Sequence, residues 1–184
     1  RSTLFPYTTL FRSQPLRLEI TCGEAPYLVS RYDTVSGEPL ELKDRIGMLD
    51  RKMRVVCENT YSETEWLKWS ERAFQSVYGF EFQGDSLLIA RENLLASYCD
   101  YMEDKLNRQA TEKELINIAK IISWNLWQMD GLTYTIPYEK AVEPIEQITL
   151  FDFQEKDKKS LCIIKDWRAK RIYTFQDLVN KGGN

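Results

Sequence analysis

Three stretches of this chain set polar residues or glycines where apolar segments end, which is where a backbone can turn to face a ligand. The first is Leu18-Glu19-Ile20-Thr21-Cys22-Gly23-Glu24-Ala25-Pro26. Alternation predicts a strand, and a glycine straight after it permits a tight turn whose N–H groups face outward at the sheet's carboxyl edge. An ordinary strand-end turn carries the same signature. The second is Val77-Tyr78-Gly79-Phe80-Glu81-Phe82-Gln83-Gly84-Asp85. A carboxylate at the end of a second strand, Glu81, can accept from both hydroxyls of a ribose, and Phe82 can lie against an adenine ring. A solvated Glu beside a core Phe fits the same residues. The third is Trp124-Asn125-Leu126-Trp127-Gln128-Met129-Asp130-Gly131-Leu132. Its two tryptophans stand at helical spacing, which reads as core packing, and Asp-Gly reads as a turn. The Asp130 carboxylate can also accept a hydrogen bond from an exocyclic amine.

Composition narrows the chemistry further. Histidine is absent from the 184 residues, which removes His-based triads, imidazole zinc ligands and a histidine general base. Cys22, Cys57, Cys99 and Cys162 stand far apart without a Cys-x-x-Cys pair. They read as free thiols in a reducing cytoplasm, with disulfides or a metal as the alternative. Net charge is −3, so the chain as it stands is not a blanket electrostatic binder of nucleic acid. The exception is local: Lys165, Arg168, Lys170 and Arg171 around Trp167 could touch phosphate or stack on a base, or form a solvated face. No Gly-x-x-x-x-Gly-Lys loop is present, which argues against NTP hydrolysis. No run of roughly eighteen apolar residues exists, so no membrane span is expected.

The elements that must position these residues follow from periodicity. Residues 16–22 alternate and predict a strand, followed by a short helix or turn over 26–32 and a loop over 33–43. Ile46, Leu49, Met53 and Val56 recur at helical spacing. Ser62 with Glu65, and Thr111 with Glu114, are capping boxes that open two further helices. Residues 77–82 alternate between two helices and predict a short buried strand; Asp85 is expected to cap a long helix to about Leu106. Residues 161–164 predict another strand and 175–179 a terminal helix. Strands alternating with helices indicate an α/β fold with a parallel sheet.

Taken in this order, the three stretches resemble the cofactor motifs of S-adenosylmethionine-dependent DNA adenine methyltransferases of bacterial restriction-modification systems. The match is nearest over residues 78–95, where Tyr78-Gly79-Phe80-Glu81 leads into Leu88-Ile89-Ala90-Arg91-Glu92-Asn93-Leu94-Leu95. The resemblance covers residues 16 to about 166. It implies a partial Rossmann-like domain with several inserted helices and S-adenosylmethionine as cofactor. By the same resemblance Cys22, Gly23, Glu24 and Ala25 line the methionine end, Glu81 and Phe82 the ribose and adenine side, and Asp130 takes the adenine amine. Two departures accompany it. Ala25 stands where the family has a second glycine, which weakens binding if that position needs a positive φ. The family's Asn/Asp-Pro-Pro-Tyr/Phe loop, which holds a flipped-out adenine, has no counterpart here, since the sequence contains no Pro-Pro pair. The expectation is therefore a cofactor-binding half, residues 14–184, that stops before the catalytic loop. Such a half is inactive, binds the cofactor weakly, and meets DNA only as part of the full-length enzyme.

Residues 1–13 differ from the rest. They lack acidic residues, repeat Thr-Leu-Phe at positions 3–5 and 9–11, and are interrupted by Pro6, which suits neither a signal nor a transit peptide. They resemble a sequencing-adaptor oligonucleotide read as coding sequence, which places the natural chain's start at or near Gln14 and a missing amino end before it. A rival of a different class is a non-enzymatic, mostly helical interaction module whose Trp66, Trp69, Trp124 and Trp127 dock a partner. The two readings diverge at Glu81: a strand parallel to one at residues 18–21 suits the methyltransferase, a continuous helix over 79–83 the module.

Overall fold

Three short strands supply the frame on which the candidate residues sit. The computed structural model describes residues 15–138 and 160–182. Within them β1 (Arg17–Ile20), β2 (Val77–Glu81) and β3 (Leu126–Gln128) form a parallel sheet in the order β1-β2-β3. Leu18 lies opposite Tyr78 and Glu19 opposite Gly79, while Glu81 lies opposite Gln128. Parallel neighbours need long crossovers. Helices α1 (Met48–Asn59) and α2 (Glu63–Phe74) make the first, and α3 (Gly84–Leu106) with α4 (Glu112–Asn125) the second. The chain then forms an antiparallel pair, β4 (Ile163–Asp166) with β5 (Arg171–Thr174), and ends in α5 (Phe175–Gly182).

β2 is buried along its whole length, as the middle strand of a sheet covered on both faces must be. Its odd-numbered side belongs to the helical core, where Val77 packs with Leu28, Leu49, Trp66, Phe74 and Tyr98. Its even-numbered side meets the β4–β5 pair and α5: Phe80 packs with Met129, Cys162 and Phe175, and the Tyr78 hydroxyl donates to the Lys165 carbonyl at 2.8 Å. Asn125, at the end of α4, ties these layers together. Its amide donates to the carbonyls of Phe74 and Val77 and accepts from the Trp167 indole at 2.7 Å.

Both capping boxes start helices. Thr111 and Glu114 bond each other's backbone N–H reciprocally. Ser62 accepts from Glu65 N–H, whereas Glu65 reaches back to Tyr61 rather than Ser62. Three expectations are corrected. Asp85 lies in the first turn of α3, where it complements the helix dipole, while Gln83 is the cap and makes no side-chain bond there. The short helix or turn expected over 26–32 is a turn, at 26–28. The helical spacing of Trp124 and Trp127 spans a helix end, because α4 stops at Asn125 and Trp127 lies in β3. The docking-face expectation fails for Trp66 and Trp69, which are buried in the core with the Trp66 indole donating to Cys57 Sγ at 3.3 Å. No continuous helix runs through 79–83. Among the described residues no helix is long and apolar enough to cross a membrane.

Two buried ionisable groups fasten α1 to the segments around it. Asp50 is fully buried and accepts from the N–H groups of Ser30 (2.8 Å) and Gly47 (3.1 Å) and from the Tyr101 hydroxyl (3.1 Å). A side chain at Gly47 would fall on the Leu28 carbonyl oxygen, so the chain passes here only because Gly47 has none. Lys52 donates to the Pro15 carbonyl and to Ser76 Oγ, just ahead of β1 and β2. Burial, helped by the charges of Arg17 and Arg168, pushes its ammonium down to about 7.

Replacing Asp50 by Ala removes the shared acceptor of the Ser30 and Gly47 N–H groups and the Tyr101 hydroxyl, and urea denaturation is expected to show a loss of roughly 3 kcal/mol. For Lys52 the folded form favours the neutral amine, so its unfavourable contribution grows as pH falls from 10.5 toward about 7. Lys52→Met is therefore expected to gain on the wild-type chain across that window by roughly 2–4 kcal/mol, read from unfolding curves at several pH values. A pH-independent difference overturns this.

Candidate functional site

The carboxyl ends of the three parallel strands lie side by side, and every residue expected to bind the cofactor falls on that edge. Cys22, Gly23, Glu24 and Ala25 follow β1, Glu81 ends β2 with Phe82 next, and Asp130 comes two residues after β3. A crevice outside the carboxyl ends of parallel strands is where open α/β sheets bind ligands.

Glu81 is the centre of this edge. It is 6% exposed, and its Oε2 accepts from Gly23 N–H at 2.7 Å across 58 residues of chain. Its Oε1 accepts from the N–H groups of Phe82 (2.9 Å) and Gln83 (3.0 Å). A carboxylate offers about four acceptor positions, so one position on Oε2 remains beyond these three bonds. Gly23 reaches Glu81 with φ of +54°, and a side chain at Gly23 would meet nothing within 4 Å; its outer side is open.

The loop around Gly23 is held tightly. Thr21 and Ala25 also take left-handed backbone, with φ of +59° and +63°. Ala25 is fully buried and its N–H donates to the Cys22 carbonyl at 2.7 Å. Ala25, where a glycine is the expectation, thus does adopt positive φ. Asn93 of α3 donates to the Glu24 carbonyl at 3.0 Å, and the Tyr32 hydroxyl donates to the Glu24 carboxylate. Burial raises the Tyr32 hydroxyl above the usual phenol range, and the Glu24 carboxylate adds to the rise. Cys22 is buried, and burial, with the charges of Glu19 and Glu81, pushes its thiol up to about 12. It stays protonated and is no nucleophile at neutral pH.

Phe82 is partly exposed and meets Tyr138 edge-on, ring centroids 5.4 Å apart. Asp130 Oδ1 accepts from the N–H groups of Leu132 (2.9 Å) and Thr133 (3.3 Å), and its own N–H donates to the Thr135 carbonyl. Part of its carboxylate is therefore committed to shaping its turn. One member of the basic cluster is also committed: Lys165 Nζ lies 4.0 Å from the Trp167 ring centre and 5.1 Å from that of Trp124. Lys165 thus covers one face of the Trp167 indole.

Sequence reasoning missed two supports and one anomaly. Tyr32 and Asn93, which fasten the loop through Glu24, lie in segments read as turn or loop and as helix, and only the fold brings them there. Glu19 reads as the solvated side of an alternating strand. Instead its Oε2 is buried without a hydrogen-bond partner among the described residues, and burial pushes its carboxyl up to about 7. No group of His, Cys, Asp or Glu suited to a metal occurs among the described residues. Comparison with protein-family models, with curated proteins and with solved structures finds no match in any of the three.

Glu81→Ala strands three backbone N–H groups and is expected to cost about 2–4 kcal/mol in urea denaturation. Asp130→Ala, which removes the acceptor of two exposed turn N–H groups, is expected to cost about 1 kcal/mol. Equal losses in the two variants would remove Glu81 from its central place.

Proposed function

We propose that this chain is the S-adenosylmethionine-binding part of a DNA adenine methyltransferase of the restriction-modification kind, built on a partial Rossmann-like sheet. One observation carries the reading: the three stretches that resemble the family's cofactor motifs lie on neighbouring parallel strands at one carboxyl edge, and the first two are joined by the Gly23 N–H to Glu81 bond. The strand at Glu81 runs parallel to β1, the arrangement that separates this reading from the helical module. Burial of Trp66 and Trp69 leaves the module only half of its docking residues.

The residues fit the cofactor by the chemistry of their donor set. The open side of Gly23 suits the methionine end beside Cys22, Glu24 and Ala25. The remaining acceptor position of Glu81 suits a ribose hydroxyl, Phe82 offers an exposed ring edge beside an adenine, and Asp130 takes the exocyclic amine. When bound, S-adenosylmethionine supplies an electrophilic methyl group on a sulfonium. The residues of this chain bind and orient; none of them has to form a covalent bond, which agrees with the protonated Cys22 thiol. Positioning and exclusion of water are what such a site contributes to in-line transfer. The adenine-holding Asn/Asp-Pro-Pro loop is not in this sequence, so DNA methylation belongs to a longer enzyme, and DNA binding by this chain is weak or nil. A cytoplasmic location belongs to the same reading and is in keeping with four free cysteines.

Calorimetric titration with S-adenosylmethionine tests the proposal. Weak binding is expected, lost or reduced at least roughly tenfold in Glu81→Gln and in Asp130→Ala, a loss of about 1.4 kcal/mol or more. Thermal melts of both variants check that they are folded. Absence of heat at millimolar cofactor, or binding indifferent to both substitutions, overturns it.

A further inference from the structure

β1 is the outer strand of the parallel sheet, and among the described residues no strand pairs with its far side. Alternate residues of a parallel strand turn their N–H and C=O toward a given neighbour. Arg17 N–H donates to the Ser76 carbonyl at 2.9 Å, so Leu18 and Ile20 turn theirs to the open side. Native edges are usually blunted by charge or proline; this one follows Pro15 and carries Arg17 and Glu19 on one face, but on its other face Leu16, Leu18 and Ile20 are 56%, 41% and 64% exposed. Leu16 and Leu18 also border an apolar groove of about 400 Å³ completed by Ile164, Phe175, Leu178 and Val179. On the opposite face of the strand stand Arg17 and Glu19, the latter with its buried, unpartnered oxygen.

We propose that the open edge of β1 pairs antiparallel with β1 of a second copy of this chain, about a two-fold axis through Leu18. The segment Leu16-Arg17-Leu18-Glu19-Ile20 is self-complementary in this register. Leu18 faces its own copy, Leu16 faces Ile20, and each Arg17 faces the Glu19 across the axis. The residues with outward N–H and C=O groups fall in hydrogen-bonded pairs. Arg17 and Glu19 fall in non-hydrogen-bonded pairs, where side chains approach most closely. A shift of one residue would set Leu18 against Glu19 and Arg17 against Ile20, losing both the apolar and the charge matches. The interface is isologous and closes on itself. It joins the two sheets into one and gives the Glu19 carboxylate the cation it lacks within one copy. It does not depend on the cofactor reading.

Sedimentation velocity of the full chain across the micromolar range tests this. A dimer is expected, weakened at least roughly tenfold by Glu19→Arg, which opposes two arginines across each pair. The double variant Arg17→Glu/Glu19→Arg restores the opposite charges and is expected to restore the dimer. Leu18→Lys sets two cations on the axis and is expected to give a monomer with an unchanged circular dichroism spectrum; as its side chain is exposed, it reports even if Glu19→Arg fails to fold. A wild-type chain that stays monomeric, or a dimer indifferent to Leu18→Lys, overturns the proposal. A double variant that folds but does not dimerise overturns the register. Cofactor titration reads a different edge of the sheet, so the two readings fail separately.

Discussion

A buried carboxylate at the end of a central strand must find donors, and the way Glu81 finds them shapes the whole edge of this sheet. Two of its three donors come from the backbone that follows it, Phe82 and Gln83, which turns the chain out of β2 and into α3. The third comes from Gly23, far away in sequence, which fixes the loop after β1 against β2. The carboxylate therefore does the work of a helix cap and a loop clamp at once. Its bond to the Gln83 N–H meets the cap residue's own backbone donor, which a capping box would meet from within the helix, while Gln83 itself makes no side-chain cap bond.

The clamp sets conditions on its partner. Gly23 must reach Glu81 with positive φ, and Thr21 and Ala25 on either side do the same without being glycine. Each non-glycine residue in that region costs about 1–2 kcal/mol, and such costs persist only where the surroundings over-determine the conformation. Here the surroundings are visible: Ala25 is packed in the core, Cys22 N–H donates to the Phe80 carbonyl, and Asn93 and Tyr32 hold Glu24. A loop with fewer ties would relax. This one is fixed before any ligand arrives, which is how a binding edge avoids ordering costs at the moment of association.

Much of this frame is legible in the sequence, for identifiable reasons. The alternation of residues 77–82 and of residues 16–20, the Thr111–Glu114 box and the Gly23 turn are local signals, because period, cap and turn chemistry act over a few residues. β3 is not legible, since three residues carry no period and the spacing of Trp124 and Trp127 continues a helical pattern across the end of α4. The burial of Asp50 and Lys52, the triple role of Asn125 and the orphan oxygen of Glu19 are products of packing between distant segments. The same holds for Trp66 and Trp69: a sequence says that an indole is large and apolar, but only the fold says that α1, α3 and α4 close over it.

The site's economy lies in how few acceptor positions it leaves. Glu81 has one beyond its structural bonds, and part of Asp130 is committed to its own turn. A hydroxyl meeting Glu81 there would bond a carboxylate already polarised by three N–H donors, so it gains orientation more than strength. Removing the carboxylate would remove the loop's anchor as well as the contact. Binding and folding at this edge are thus coupled through one side chain, and any ligand that engages Glu81 also stabilises the clamp between β1 and β2, by the linkage that makes every ligand of the folded form a stabiliser of it.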